Sequence, residues 1–135
     1  MKKLEQSFCS IYQQWLMARG AKHNVQSAPW EAKHDRGKGR IPFADVPEHQ
    51  RDALFACTTD KGFCYKISDQ SSGKKPYDGF FFRNSPAYLV FAYEKNFYLI
   101  SIHNFLHEVK TSKVKSLTDQ RAKEISILSD SYKMN

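Results

Sequence analysis

Glu31 and Lys33 stand two apart in Trp30-Glu31-Ala32-Lys33, a short segment that reads as a strand. Residues i and i+2 of a strand project to the same face, so one carboxylate and one ammonium sit side by side. The segment that follows, His34-Asp35-Arg36-Gly37-Lys38-Gly39-Arg40, joins cations to two glycines and suits the close approach of a phosphate backbone. Pro47 then opens a helix that carries Gln50 on the stripe of Val46, Ala53, Leu54 and Cys57, facing inward. A carboxylate, a lysine, a basic loop and an inward glutamine together point to metal-assisted attack on a phosphodiester. Each alone has a plainer reading. Glu-x-Lys is ordinarily a surface pair, and a buried glutamine is ordinarily a satisfied amide.

The rest of the chain must position these groups. Its 135 residues fit one domain, 1–135, and 41% hydrophobic with 14% aromatic residues is enough for a core. A formal net charge of +7 is compatible with nucleic acid, an anionic membrane or a ribosome, and equally with solvated lysines. Cys9, Cys57 and Cys64 lie in apolar segments with no CxxC pair, which argues against a zinc site or a disulfide framework and for a reducing, cytoplasmic setting. No apolar run is long enough to cross a bilayer, and Lys2 and Lys3 are followed by Glu5, Gln6 and Gln13 instead of a signal-peptide core.

Helical spacing of Leu4, Phe8, Ile11, Tyr12, Trp15 and Leu16 predicts an amphipathic helix over 4–19, stopped by Gly20, with Glu5 beside the apolar stripe. After the basic loop come an extended Ile41-Pro42-Phe43 and a helix from Pro47 to about Thr58. Phe63–Ile67 and Tyr77–Phe82 read as strands around a polar loop, Ala87–Tyr93 as a central strand, and Phe97–Ile102 as its hairpin partner. A short helix carries Ile102, Phe105, Leu106 and Val109. A last one, begun by Ser116 or Thr118, carries Leu117, Ala122, Ile125 and Leu128 inward, with fraying after Asp130. His103 and His107 read as a surface or interface feature, and Lys110, Lys113 and Lys115 as a basic cluster or solvated linker.

Glu31-Ala32-Lys33, then Ile41-Pro42-Phe43, then His49-Gln50 and Leu54 resemble the PD-(D/E)XK nuclease superfamily, more narrowly its Holliday-junction resolvase-like members. Tyr65-Lys66-Ile67-Ser68-Asp69 and Lys75-Pro76-Tyr77-Asp78-Gly79 resemble that family's preceding hairpin, but here they follow the His-Gln helix. The resemblance therefore implies a circularly permuted restriction-endonuclease-like core of α/β (α+β) class: a central mixed sheet of about five strands flanked by helices. No aspartate lies between Gly20 and Trp30, so Asp78 must reach Glu31 through space.

On that resemblance, Asp78, Glu31 and the Ala32 carbonyl would hold Mg²⁺ (Mn²⁺ as a substitute). Lys33 would orient the attacking water or stabilise the phosphate, Gln50 would position water or a neighbouring phosphate, and Glu5 would add an outer contact. Arg36, Lys38 and Arg40, with Lys74 and Lys75 as a second patch, would hold backbone phosphates. The implied activity is metal-dependent cleavage of branched or structured DNA by a homodimer in a bacterial, archaeal or phage-infected cell. The alternatives are an inactive nucleic-acid-binding module of the same fold, and a small protein-binding subunit or inhibitor.

Overall fold

The computed structural model of the chain describes residues 2–67 and 78–134. Its helices are Lys2–Trp15 (α1), Glu48–Thr58 (α2), Ile102–Thr111 (α3) and Asp119–Ile125 (α4). Its strands are Trp30–His34 (β1), Arg40–Pro42 (β2), Phe63–Ile67 (β3), Asp78–Phe82 (β4), Tyr88–Ala92 (β5), Asn96–Ser101 (β6), Ser116–Thr118 (β7) and Leu128–Ser131 (β8). The fold is α+β around a mixed sheet of order β1-β5-β6-β8, in which β1 runs parallel to β5 and the other pairs are antiparallel.

The apolar run at 88–92 becomes β5, buried along its whole length between β1 and β6. Alternation then divides the core into two layers. Leu89, Phe91, Tyr98 and Ile100 meet Leu54 and Cys57 of α2, Ile102 and Phe105 of α3, and Ala122 of α4. Val90, Ala92, Phe97 and Leu99 meet Phe8 and Tyr12 of α1 across the other face. Ser101 Oγ caps α3 by accepting from the Asn104 N–H at 3.1 Å, and Thr118 Oγ1 caps α4 by accepting from the Arg121 N–H at 3.2 Å. Arg121 then donates to both oxygens of the buried Glu108, each at 2.9 Å, and so locks α4 to α3 through a two-pronged ion pair.

Three expectations are corrected. Among the described residues the central mixed sheet has four strands, against about five expected, and β3 and β4 form a separate two-stranded ribbon. That ribbon cannot lie along the sheet because its exit is tied to the end of α2. The Asn84 N–H donates to Thr59 O at 2.9 Å and the Ser85 N–H to Cys57 O at 3.0 Å, while Phe63 and Phe82 pack on the α2 side of the core.

The second correction concerns the last helix. Leu117 and Leu128, expected on it, lie instead on β7, which pairs with β2, and on β8, which closes the sheet beside β6. Thr118 caps the helix one residue beyond Leu117, and the turn at Ser126 ends it before Leu128. Third, the chain does not fray at Asp130. The Trp15 Nε1–H donates to Asp130 at 2.8 Å, and the Tyr132 ring packs edge-on to Phe8 at 5.1 Å.

Near its end, the first helix relaxes into a wider turn over Leu16–Gly20 and a tight one over Ala21–His23. The opened Leu16 carbonyl accepts from Gln26 Nε2 at 2.8 Å. Gly20 is required there, since a Cβ would lie 2.6 Å from the Gln26 side chain.

The Tyr132 hydroxyl donates to the Tyr93 carbonyl and accepts from the His34 ring. We expect Tyr132→Phe to cost about 1 kcal/mol through its lost hydrogen bonds. Tyr132→Ala should cost about 3 kcal/mol through the cavity left against Phe8. Urea unfolding of both variants checks the pair, and equal stability of Tyr132→Ala and wild type would refute the docked terminus.

Candidate functional site

β1 is an edge strand, and its register decides which of its groups face outward. The Tyr88 N–H donates to Pro29 O and the Asp35 N–H to Ala92 O, each at 3.0 Å. In a parallel ladder, alternate residues bond the neighbouring strand, so the backbones of Glu31 and Lys33 face β5. The carbonyls of Trp30, Ala32 and His34 therefore point to the open edge, and Ala32 O is oriented as a free acceptor. Side chains follow the opposite logic. Glu31 pairs with Leu89 and Lys33 with Phe91, so both project to the α2 face, while Ala32 and His34 are buried toward α1.

Glu31 borders two hollows. The larger, a cleft of about 650 Å³, lies between Pro29–Glu31, the α2 residues His49, Gln50 and Ala53, and Phe63, Tyr65 and Phe82 of the ribbon. The second lies against α1 and is lined by Glu5, Gln6, Cys9, Trp30, Glu31, Ala32 and Arg36. Glu31 thus shares the first hollow with Gln50 and the second with Glu5 and Ala32, while Lys33 lies on the same face of β1 as Glu31. His49 joins them. It lines the cleft with Glu31, and its position beside Gln50 at the start of α2 was the signal in the sequence.

Burial dominates the electrostatics of Glu31. Burial lifts the Glu31 carboxyl above the ordinary range; Lys33 and His49 pull it back down, and Glu5 pushes it further up. Cys9 in the second hollow is likewise raised by burial and then by Glu5 and Glu31, so its thiol stays protonated. Gln50 Oε1 is buried and, among the described residues, has no hydrogen-bond partner.

The basic loop is shaped by Asp35, which the sequence reading did not single out. The buried Asp35 carboxylate accepts from the Gly37 and Gly39 N–H groups, both at 3.0 Å. Gly37 and Gly39 hold φ of 79° and 75°, and Arg36 also sits in the left-handed region at 56°. The buried His34 supports the same turn. Its Nδ1 accepts from the Arg36 N–H at 2.8 Å, which leaves the proton on Nε2, directed at the Tyr132 hydroxyl at 3.3 Å. Lys38 and Arg40 are exposed, whereas the Arg36 guanidinium lies 3.6 Å from the Glu5 carboxylate. Arg36 is therefore an ion-pair partner as well as a surface cation.

Asp78 opens β4 opposite Ile67, in backbone phase with Phe80 and Phe82. Its side chain, and Asp69, Lys74 and Lys75 altogether, lie outside the described residues. Among the described residues no three His, Cys, Asp or Glu side chains converge to hold a metal ion. What is present is a pair of carboxylates, Glu31 and Glu5, with an outward carbonyl at Ala32, a hard-oxygen set of the kind Mg²⁺ accepts. No helix of the described residues is long and apolar enough to cross a membrane.

The partly desolvated Glu31 charge should cost stability. With its carboxyl raised in the folded state, the folded protein holds more protons than the unfolded chain just above the unfolded value near 4.5, so stability falls as pH rises through that window. Glu31→Gln is expected to raise Tm at pH 7, with the two proteins converging toward pH 4. Thermal melts from pH 4 to 8 read this directly, and a Tm at pH 7 equal to or below wild type would refute the buried-charge account. In comparisons with protein-family models, curated proteins and solved structures, none matches this chain.

Proposed function

We propose that the protein is a metal-dependent endodeoxyribonuclease acting on branched or otherwise structured DNA, with a PD-(D/E)XK-like site on a permuted order of core strands. The observation that carries this is the half-buried Glu31, its carboxyl raised by burial, standing beside Lys33, Glu5 and the outward Ala32 carbonyl. A structural ion pair would not need a second carboxylate pushing against the first. A divalent cation would relieve that repulsion.

Glu31 and the Ala32 carbonyl would hold Mg²⁺, or Mn²⁺ in its stead, with Asp78 as the second carboxylate and Glu5 as an outer contact. Bound there, the ion would supply charge neutralisation at the phosphoryl oxygens and a lowered pKa for water. Lys33, on the same face of β1 as Glu31, would carry its ammonium toward the phosphate and stabilise the charge that builds there. The Gln50 amide orients water or the adjoining phosphate from across the cleft. Lys38 and Arg40 contact neighbouring phosphates without reading sequence, and Arg36 does the same once DNA competes for it with Glu5. Cutting two strands of a branched substrate in concert calls for a homodimer.

The absence of a complete three-side-chain ligand cluster among the described residues favours one other reading, a nucleic-acid-binding module without chemistry. The two separate on Mg²⁺. A labelled four-way junction and its matched duplex are incubated with wild type, Glu31→Ala, Lys33→Ala and Asp78→Ala, in Mg²⁺ or EDTA. We expect Mg²⁺-dependent cutting by wild type and a loss on the order of a hundred-fold or more in each variant, with DNA affinity largely kept. Loss in Glu31→Ala but not in Asp78→Ala removes Asp78 from the ligand set and with it the permuted strand order. Tight binding with no cutting by wild type leaves the binding module.

A further inference from the structure

The far wall of the Glu31 cleft is a row of rings for which phosphodiester chemistry has no use. Phe63 opposes Phe82 across the ribbon and Tyr65 opposes Phe80, so the four aromatic side chains share one face. Phe63, Tyr65 and Phe82 line the cleft, yet Tyr65 and Phe80 each remain 57% exposed. Phe63 and Tyr65 stand 6.4 Å apart between ring centroids and already form a continuous surface. α2 makes the opposite wall, where Gln50 lines the cleft with its Oε1 buried and, among the described residues, without a hydrogen-bond partner.

A cleft walled by rings suits a flat group that stacks on them, and one bearing N–H donors also draws out the buried Gln50 oxygen, which an aliphatic chain would leave unpaired. The surrounding charge narrows the class further. A formal net charge of +7, with Arg36 on the adjoining hollow and Lys38 and Arg40 exposed beyond it, complements a polyanion. A flat donor attached to a polyanion is a nucleobase.

We propose that the mouth of the cleft holds one unpaired nucleobase, stacked on Tyr65 and on the exposed Phe80 opposite it, toward which the Gln50 amide turns. This rests on the nuclease reading and names its substrate class: DNA with an unstacked nucleotide next to the phosphate that Glu31 and Lys33 address. A cleft of about 650 Å³ admits a base together with its sugar, and Glu31 lines the same space, so base and scissile phosphate belong to neighbouring nucleotides. Fully paired duplex offers no such base without unstacking one.

The test is binding in Ca²⁺, read by fluorescence anisotropy, of a labelled duplex with a single-stranded flap and of the matched blunt duplex. A second series replaces each nucleotide near the branch in turn by an abasic residue that keeps sugar and phosphate. We expect the flap to bind at least about ten-fold more tightly than the duplex, and one abasic position to cost roughly five- to a hundred-fold. In Tyr65→Leu/Phe80→Leu the intact and abasic flaps should bind alike, while Tyr65→Phe keeps the wild-type preference. Circular dichroism checks that the ribbon variants fold. A wild type indifferent to every abasic position overturns the base pocket, as does an abasic penalty that survives in the double variant. A dimer that falls apart in the double variant with no change in flap preference assigns the rings to self-association, and overturns it too. If Mg²⁺-dependent cutting persists through any of these, the nuclease reading stands alone. If no DNA is bound or cut in any form, that reading falls and the pocket with it.

Discussion

The parallel pairing of β1 with β5 is the constraint from which the site follows. β5 is buried on both faces and along both edges, so its register leaves β1 one way to lie against it. That register sets Glu31 against Leu89 and Lys33 against Phe91, turning a carboxylate and an ammonium toward α2. A slip of one residue would exchange them for Ala32 and His34 and bury two charges against Phe8 and Tyr12. Hydrophobic burial on the α1 side thus holds the polar pair where it is. The same pairing spends the backbone of Glu31 on the sheet and leaves the carbonyl of Ala32 facing out.

Around that strand, the charges are arranged by burial more than by pairing. Glu31 lies between two carboxylate-facing hollows, feels Lys33 and His49 from one side and Glu5 from the other, and is lifted in pKa chiefly because water is scarce there. Glu5 is itself engaged by Arg36, which couples the first helix to the loop after β1. The ion pair of Glu108 and Arg121 stands in contrast. It is a two-pronged hydrogen-bonded lock between α3 and α4 that leaves no capacity for a ligand.

Much of this was legible in the residue pattern. The Glu-x-Lys strand, the Pro47-initiated helix with Gln50 inward and the continuous apolar β5 were readable because each is decided within a few residues by periodicity and propensity. What escaped were features decided elsewhere in the chain. Leu128 fits a helical stripe as well as a strand, and only the free edge of β6 makes it a strand. The ribbon of β3 and β4 alternates as any sheet strand does, and its separation from the central sheet is fixed by carbonyls of Cys57 and Thr59 at the end of α2. Asp35 looked like one charge in a basic run. Its role emerges only when two glycine N–H groups turn back toward it.

Arg36 carries a consequence for how this chain tolerates mutation. It holds φ of 56°, a conformation that disfavours a residue with a Cβ by about 1–2 kcal/mol and that glycine adopts freely. On stability alone, a library of variants at this position would drift toward glycine. Glycine there would also remove the guanidinium that faces Glu5, so the substitution that relieves the backbone changes the charge of the loop and its tie to the first helix.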